Sequence, residues 1–185
     1  MPPLSSDERR ALLALARFAI LETVVHERVP DLSGYEGPAS RKGAAFVTVR
    51  CRGELRGCVG RTDWNLPLGE VVAQCAISAV ARDPRFPPIL PGEVREVEVE
   101  LSLLSEFQPI ALASIVPGRH GLYVVRGARR GLLLPQVAAE HGWSAERFLM
   151  ETCEKAGLEP AAWRDEETQV FGFTAEVFCE SDLRE

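Results

Sequence analysis

The sequence Leu-Arg-Gly-Cys-Val-Gly at residues 55–60 places a thiol between two glycines and two residues after an arginine. Cysteine is a nucleophile in its ionised form, and a nearby cation favours that form. Side chains alternate along a strand, so Arg56 and Cys58 share one face while Leu55 and Val59 share the other. If the aliphatic pair faces the core, the thiol faces away. The spacing therefore predicts that Cys58 is a nucleophile and that Arg56 stabilises its thiolate or binds an anionic ligand.

The two glycines of this segment support a second expectation. Gly57 and Gly60 carry no side chain that could cover the backbone beside Cys58, so a ligand or another chain could approach it closely. The structural alternative is a β-bulge at a strand end, with glycines that the backbone geometry requires and a small buried cysteine that fills space. The spacing of these residues leaves both interpretations open.

A proline-rich segment, Asp-Pro-Arg-Phe-Pro-Pro at residues 83–88, supplies further candidate residues. Three prolines in six residues exclude a regular helix or strand, so the segment is expected to be a shaped loop. Its rigid backbone would hold Asp83, Arg85 and Phe86 in fixed directions as ligand-contacting residues of a cleft wall. A purely structural salt bridge between Asp83 and Arg85 explains the same residues equally well.

Two weaker candidates lie later in the chain. His120, in a loop between proline and glycine, is a candidate general base for Cys58, although a solvated turn residue is the simpler interpretation. Gln136 follows Pro135 at a predicted helix start, where free amides can face an anion. The three histidines are widely spaced, so we expect no metal site, and without a P-loop or GxGxxG motif no cofactor is evident.

Composition narrows the class of protein. The 185 residues are 46% hydrophobic, enough for one domain or for two small lobes that share a core, and the net charge is −6. This acidic balance disfavours nucleic acid and anionic membranes as partners. The odd number of cysteines, five, with no CxxC pair argues against a disulfide scaffold and against structural zinc. With no signal peptide and no apolar run near about 18 residues, a cytoplasmic protein is expected.

Local patterns predict an α+β fold with antiparallel sheet and packed helices, because helices and hairpins occur without a regular βαβ rhythm. Ser5 and Glu8 form a capping box ahead of an amphipathic helix. A hairpin turn falls at residues 52–54, and a second turn lies near residues 127–130. The remaining expected elements are helices from Pro67, Pro135 and Ser144, an alternating strand at residues 97–103, and one closing strand with Phe171, Phe173, Ala175, Val177 and Cys179 on one side.

Several ordered blocks resemble the AMMECR family. The segment Glu-Leu-Arg-Gly-Cys-Val-Gly is similar to that family's signature, with Val59 in place of isoleucine. The other similar blocks are Arg82–Pro88, VEVELSLLSE, GRHGLYV, GLLLPQVAAEHGW and FTAEVFCE. The resemblance covers roughly residues 11–180 and implies a single domain over residues 1–185, with two unequal lobes that form a cleft near the signature.

The resemblance also implies partners. In bacteria and archaea the family occurs as protein A of the AmmeMemoRadiSam system, beside a Memo-like protein and a radical S-adenosylmethionine enzyme. One hypothesis is an enzyme or enzyme subunit that uses Arg56 and Cys58 on a small molecule or a modified side chain. The alternative is a non-catalytic adaptor module that binds a ligand or partner and in which Cys58 only packs.

Overall fold

The computed structural model describes residues 4–32 and 37–183 of the chain. Within them the chain forms two compact units, a large one of residues 4–32, 37–103 and 176–183 and a small one of residues 104–175. Two four-stranded antiparallel sheets and four α-helices occur in the described residues, which confirms the α+β fold class. None of those helices combines the length and the apolar character needed to cross a bilayer.

The large unit is built on the sheet with strand order β2-β1-β3-β8, so β2 is an edge strand. Helix α1 begins after Ser5, whose side chain and that of Glu8 form the expected capping box. Helix α2 packs on the β1-β2 hairpin, and buried aliphatic residues of both helices and of the sheet form one core. The elements are α1 (Ser6–Val24), β1 (Ala44–Cys51), β2 (Glu54–Arg61), α2 (Leu68–Ala81), β3 (Val97–Leu104) and β8 (Ala175–Cys179).

The small unit contains the second sheet, with strand order β4-β7-β5-β6, and two helices. Ser144 caps the longer helix by accepting the N–H of Arg147, and Gly157 follows that helix with a positive φ of 70°. The elements are β4 (Gln108–Pro109), β5 (Gly121–Arg126), β6 (Arg129–Leu133), α3 (Pro135–Glu140), α4 (Ala145–Lys155) and β7 (Gln169–Phe173).

The expectation of a single closing strand is wrong. The chain forms two strands, β7 and β8, which belong to different sheets and meet at Thr174. Thr174 donates its N–H to Oγ of Ser105 at 2.9 Å and accepts the N–H of Ser105 at 2.8 Å, so it does not continue the ladder. The alternation of buried and exposed side chains changes phase at Thr174. Phe173 is buried before it, but after it Phe178 is buried and Val177 is 44% exposed.

Candidate functional site

A β-bulge at Arg56 sets the direction of the Cys58 side chain. Next to the hairpin turn, Leu55 pairs with Arg50. One residue farther from the turn on β1, Val49 pairs with Gly57, so Arg56 has no partner of its own in the ladder. Cys58 consequently lies opposite Thr48, on the sheet face away from α2. The expectation that Leu55 and Val59 share a face is wrong. Leu55 precedes Arg56, the extra residue of the bulge, and therefore lies on the same face as Cys58.

The Cys58 thiol has a buried hydroxyl as its cross-strand partner. Thr48, only 6% exposed, donates its hydroxyl to Sγ of Cys58 at 3.3 Å. Cys58 itself is half-buried, so its sulfur is not sealed in the core. A hydroxyl donor stabilises negative charge on a sulfur that it contacts. Thr48 was missed by the sequence analysis, because counting pairs back from the turn without a bulge places Cys58 opposite Val47.

The loop after α2 binds the free edge of β2 at Cys58. Oδ2 of Asp83 accepts the backbone N–H of Cys58 at 2.9 Å, and Nη2 of Arg85 donates to the Cys58 carbonyl oxygen at 3.0 Å. The two side chains thus take the place of a neighbouring strand at this residue. Residues 83–90 form no helix or strand, as the prolines predict.

Asp83 also fixes the guanidinium of Arg85. Nε and Nη2 of Arg85 donate to Oδ1 and Oδ2 of Asp83 at 3.0 and 2.7 Å, and Cζ lies 5.2 Å from the centre of the Phe86 ring. The hydrogen bonds from Arg85 hold the pKa of the Asp83 carboxyl well below its usual range, although burial acts in the opposite direction. The salt bridge between Asp83 and Arg85 is therefore present, and it lies against Cys58.

Arg85 is the arginine that hydrogen-bonds to residue 58, at the Cys58 carbonyl oxygen. Hydrogen bonding to Asp83 raises the pKa of Arg85, and hydrogen bonding and charge interaction with Cys58 raise it further. In the described part of the chain, the side-chain hydrogen bonds of Arg85 are donated by Nε and Nη2, and Nη1 can donate to an acceptor that arrives from solution. The side chain is 53% exposed, so an anion from solution can reach it.

Arg56 binds the far end of the same loop. Its Nη1 donates to Oε1 of Glu93 at 2.5 Å, and its Nη2 donates to the Pro87 carbonyl oxygen at 3.4 Å. The hydrogen bond to Glu93 raises the pKa of Arg56. Glu93 in turn accepts the N–H of Leu90 at 2.8 Å. The described side-chain hydrogen bonds of Arg56 go to Glu93 and Pro87, whereas Arg85 donates to the carbonyl oxygen of Cys58. Stabilisation of the thiolate by Arg56 stays a prediction.

Protein atoms fill the space beside both glycines. A Cβ at Gly57 would lie 2.0 Å from the carbonyl oxygen of Ala79 in α2, and a Cβ at Gly60 would lie 2.4 Å from the ring of Phe46. Close packing of β2 on α2 and on Phe46 thus requires glycine at these positions. Their contact with a ligand stays a prediction.

His120 and Gln136, the two weaker candidates, belong to the small unit, whereas Cys58 belongs to the large unit. Nδ1 of His120 accepts the N–H of Val116 at 3.1 Å, so the neutral ring carries its proton on Nε2. Gln136 is the second residue of α3. The predicted roles of His120 as a base and of Gln136 as a ligand contact stay predictions.

The other cysteines differ from Cys58 in their surroundings. Cys75 and Cys153 are buried in the core, as expected, and burial raises the pKa of Cys75 to about 12 and raises the pKa of Cys153. Cys179 is half-buried and contacts Ser181 at 3.0 Å. Across the described ranges, no group of three or more His, Cys, Asp and Glu side chains is arranged to hold a metal ion.

Comparisons with known proteins place the chain among relatives of similar length. The AMMECR1 family model matches residues 13–178. A protein of Methanothermobacter thermautotrophicus is 44% identical over 96% of this chain and 97% of its own length, and a protein of Thermofilum pendens is 41% identical over 98% and 93%. The crystal structure of the uncharacterized protein PH0010 from Pyrococcus horikoshii matches with a TM-score of 0.85 and 40% identity, over 91% of this chain and 89% of that one.

Proposed function

Because the chain belongs to the AMMECR1 family, whose matched relatives bear no named activity, we propose a function from its site: an enzyme or enzyme subunit that uses the Cys58 thiol on an anionic electrophile. The Cys58 thiol gives up its proton to water, and the thiolate donates an electron pair to the electrophilic carbon. The bond from that carbon to a leaving group breaks, and its electron pair departs with the leaving group. Arg85 holds the carboxylate or phosphate group of the same molecule. The observation that carries the proposal is the arrangement of Thr48 and Arg85 around a half-buried thiol. Either a small molecule or a modified protein side chain fits this description.

Each residue of the site has a defined role in the proposal. Thr48 stabilises negative charge on the sulfur through its hydroxyl, and Asp83 orients Arg85 through two hydrogen bonds. Asp83 also holds the backbone of Cys58 in place. Arg56 acts at a distance, because its bond to Glu93 fixes the loop that carries Asp83 and Arg85.

The proposed partners rest on the family resemblance of the sequence blocks. We propose that the chain acts with a Memo-like protein and a radical S-adenosylmethionine enzyme, in the arrangement of the AmmeMemoRadiSam system. A pull-down with tagged versions of those two proteins from the same genome tests direct binding. Retention of neither protein would contradict this part of the proposal.

The test of the thiol site compares two alkylating reagents of similar size and different charge. Iodoacetate carries a carboxylate and iodoacetamide does not, so the ratio of their rates at Cys58 measures anion binding separately from thiol reactivity. We expect Arg85→Leu to lower the iodoacetate rate about tenfold more than the iodoacetamide rate, a factor equivalent to one charge-assisted contact. Mass spectrometry of a timed series at neutral pH gives both rates for each cysteine.

Arg56→Leu and Cys179 are the controls in that series. Arg56 binds Glu93, so its loss should change the two rates at Cys58 by similar factors. Cys179 is half-buried beside Ser181 and gives the reference rate within the same molecule. If the ratio at Cys58 equals that at Cys179 and is insensitive to Arg85→Leu, the anion-binding site does not exist.

A non-catalytic adaptor module is the second candidate. The packing of Gly57 on Ala79 and the cover that Asp83 and Arg85 give to edge strand β2 are explained by stability alone, which favours this candidate. It predicts that Cys58→Ser leaves partner binding and every cellular activity of the protein intact. The thiol proposal predicts loss of activity with partner binding retained.

A further inference from the structure

A cavity of about 420 Å³ lies in the large unit. Helix α2 lines one wall with Glu70, Ala73, Gln74 and Ile77, which stand at positions i, i+3, i+4 and i+7 and so form one stripe. The other apolar lining residues of the described chain are Leu15, Val29, Pro30, Leu32, Ala39 and Pro67. The volume falls within the usual range for small-molecule sites, and the cavity shares no residue with the thiol site.

The polar groups of the cavity are fixed by a chain of hydrogen bonds. Nη1 of Arg61 donates to Oε1 of Gln74 at 2.8 Å, and Nε2 of Gln74 donates to Oε1 of Glu70 at 2.8 Å. Arg61 is also paired with Asp63, which neutralises its charge. Gln74 thereby connects Arg61 to the Glu70 carboxylate.

The charges on the cavity wall have one sign. Both ionisable lining residues, Asp31 and Glu70, are acidic, and no lysine, arginine or histidine lines the cavity in the part of the chain that the structure describes. A cation that enters such an apolar pocket keeps a favourable interaction with a carboxylate, whereas an anion meets repulsion. Apolar walls that also carry carboxylates complement a molecule with an apolar body and a cationic group.

We propose that this cavity binds a small organic amine, with its aliphatic or aromatic body against Val29, Leu32 and Ile77 and its ammonium group on Glu70. The cavity volume accommodates a whole small molecule, and the proposed ligand is a free amine. The proposal is independent of the function proposed for Cys58, and either can fail without the other.

Calorimetric titration with three probes of matched shape tests the proposal. The probes are 4-phenylbutylamine, 4-phenylbutanol and 4-phenylbutyrate, which are cationic, neutral and anionic. We expect the amine to bind about tenfold more tightly than the alcohol and the acid to bind most weakly. Glu70→Gln should reduce amine affinity to that of the alcohol and leave alcohol affinity unchanged. Glu140→Gln, at an exposed residue of α3 in the small unit, should change neither affinity.

Two further measurements locate the bound amine. Ile77→Trp places a larger side chain at a half-buried position of the cavity wall and should abolish binding of both the amine and the alcohol. If that variant fails to fold, amide chemical shifts of wild type should change at α2 residues 69–77 on amine addition. Equal affinity for all three probes, an amine affinity insensitive to Glu70→Gln, or shift changes confined to other elements would overturn the proposal.

Discussion

The backbone N–H of Cys58 donates a hydrogen bond to Oδ2 of Asp83 at 2.9 Å, although the two residues lie 25 positions apart in the chain. Asp83 is 6% exposed and binds Arg85 with both carboxylate oxygens. One buried carboxylate therefore joins the edge strand, the loop and the arginine that contacts the thiol residue. The integrity of the site depends on this group more than on any other side chain around Cys58.

Asp83→Asn should lower the free energy of unfolding by about 2 kcal/mol at neutral pH, because it removes the charge from several buried hydrogen bonds. Urea denaturation followed by circular dichroism measures the change. Asp63→Asn is the matched control, since Asp63 pairs with Arg61 at the surface and its loss should have a much smaller effect. An equal loss in the two variants would contradict the role assigned to Asp83.

The stabilisation by Asp83 should depend on pH in one direction. The folded-state pKa of Asp83 lies below its ordinary value, so the ionised carboxylate stabilises the fold fully above that ordinary value. The contribution is lost as the pH falls through the folded-state pKa. We expect the difference in unfolding free energy between wild type and Asp83→Asn to be constant between about pH 6 and 8 and to shrink below about pH 4. A difference that grows in acid would have the wrong sign.

Gly57→Ala should destabilise the protein by roughly 3 kcal/mol, because the added Cβ would lie 2.0 Å from a backbone carbonyl that cannot move alone. Gly92→Ala is the control. No atom lies within 4 Å of a Cβ at Gly92, and we expect a change within about 0.5 kcal/mol. Thermal unfolding of the two variants beside wild type gives the comparison. Similar melting temperatures for both variants would show that β2 does not pack closely on α2.

Thr48→Val should slow iodoacetamide alkylation of Cys58 several-fold while leaving the fold intact. The substitution keeps the shape of the side chain and removes the hydroxyl that donates to the sulfur at 3.3 Å. Thr174→Val, at an exposed threonine of the small unit, serves as the control and should leave the rate unchanged. An unchanged rate in Thr48→Val would mean that the hydroxyl does not stabilise charge on the sulfur.

Cys75 and Cys153 should resist alkylation in the native protein and react only after unfolding. Burial removes access to both thiols and raises their pKa values, that of Cys75 to about 12. Labelling at neutral pH with and without urea, followed by peptide mass spectrometry, measures the protection of each. Rapid native labelling of either residue would contradict its position in the core.

Local sequence patterns determined most of the elements. The capping box at Ser5 and Glu8 and the prolines before α2 and at the start of α3 mark helix starts, and the structure confirms them within a residue or two. These signals act within one helical turn, so the sequence itself carries the information. The alternation of Val97, Val99, Leu101 and Leu103 likewise predicted β3 correctly.

The candidate site was predicted only in part. Its residue types, with Cys58, Asp83 and Arg85 among them, came from the signature and the proline-rich loop. The spacing of Arg56 and Cys58 in the sequence favoured Arg56 as the neighbour of the sulfur, because alternation places the two on one face. The bulge at Arg56 breaks that alternation, and Arg56 binds Glu93.

The sequence by itself thus predicted the helices, the hairpins, the buried cysteines and the family signature. Each of these follows from a pattern within a short stretch of the chain. Only the tertiary structure decided that Thr48 and Arg85 contact Cys58. Those contacts depend on an extra residue in β2, which shifts the strand register by one position, and on the packing of α2 against β2, which brings residues 83–85 to the strand edge. A one-residue change of register turns a side chain to the opposite face, and no local pattern reports which register the packed strands adopt.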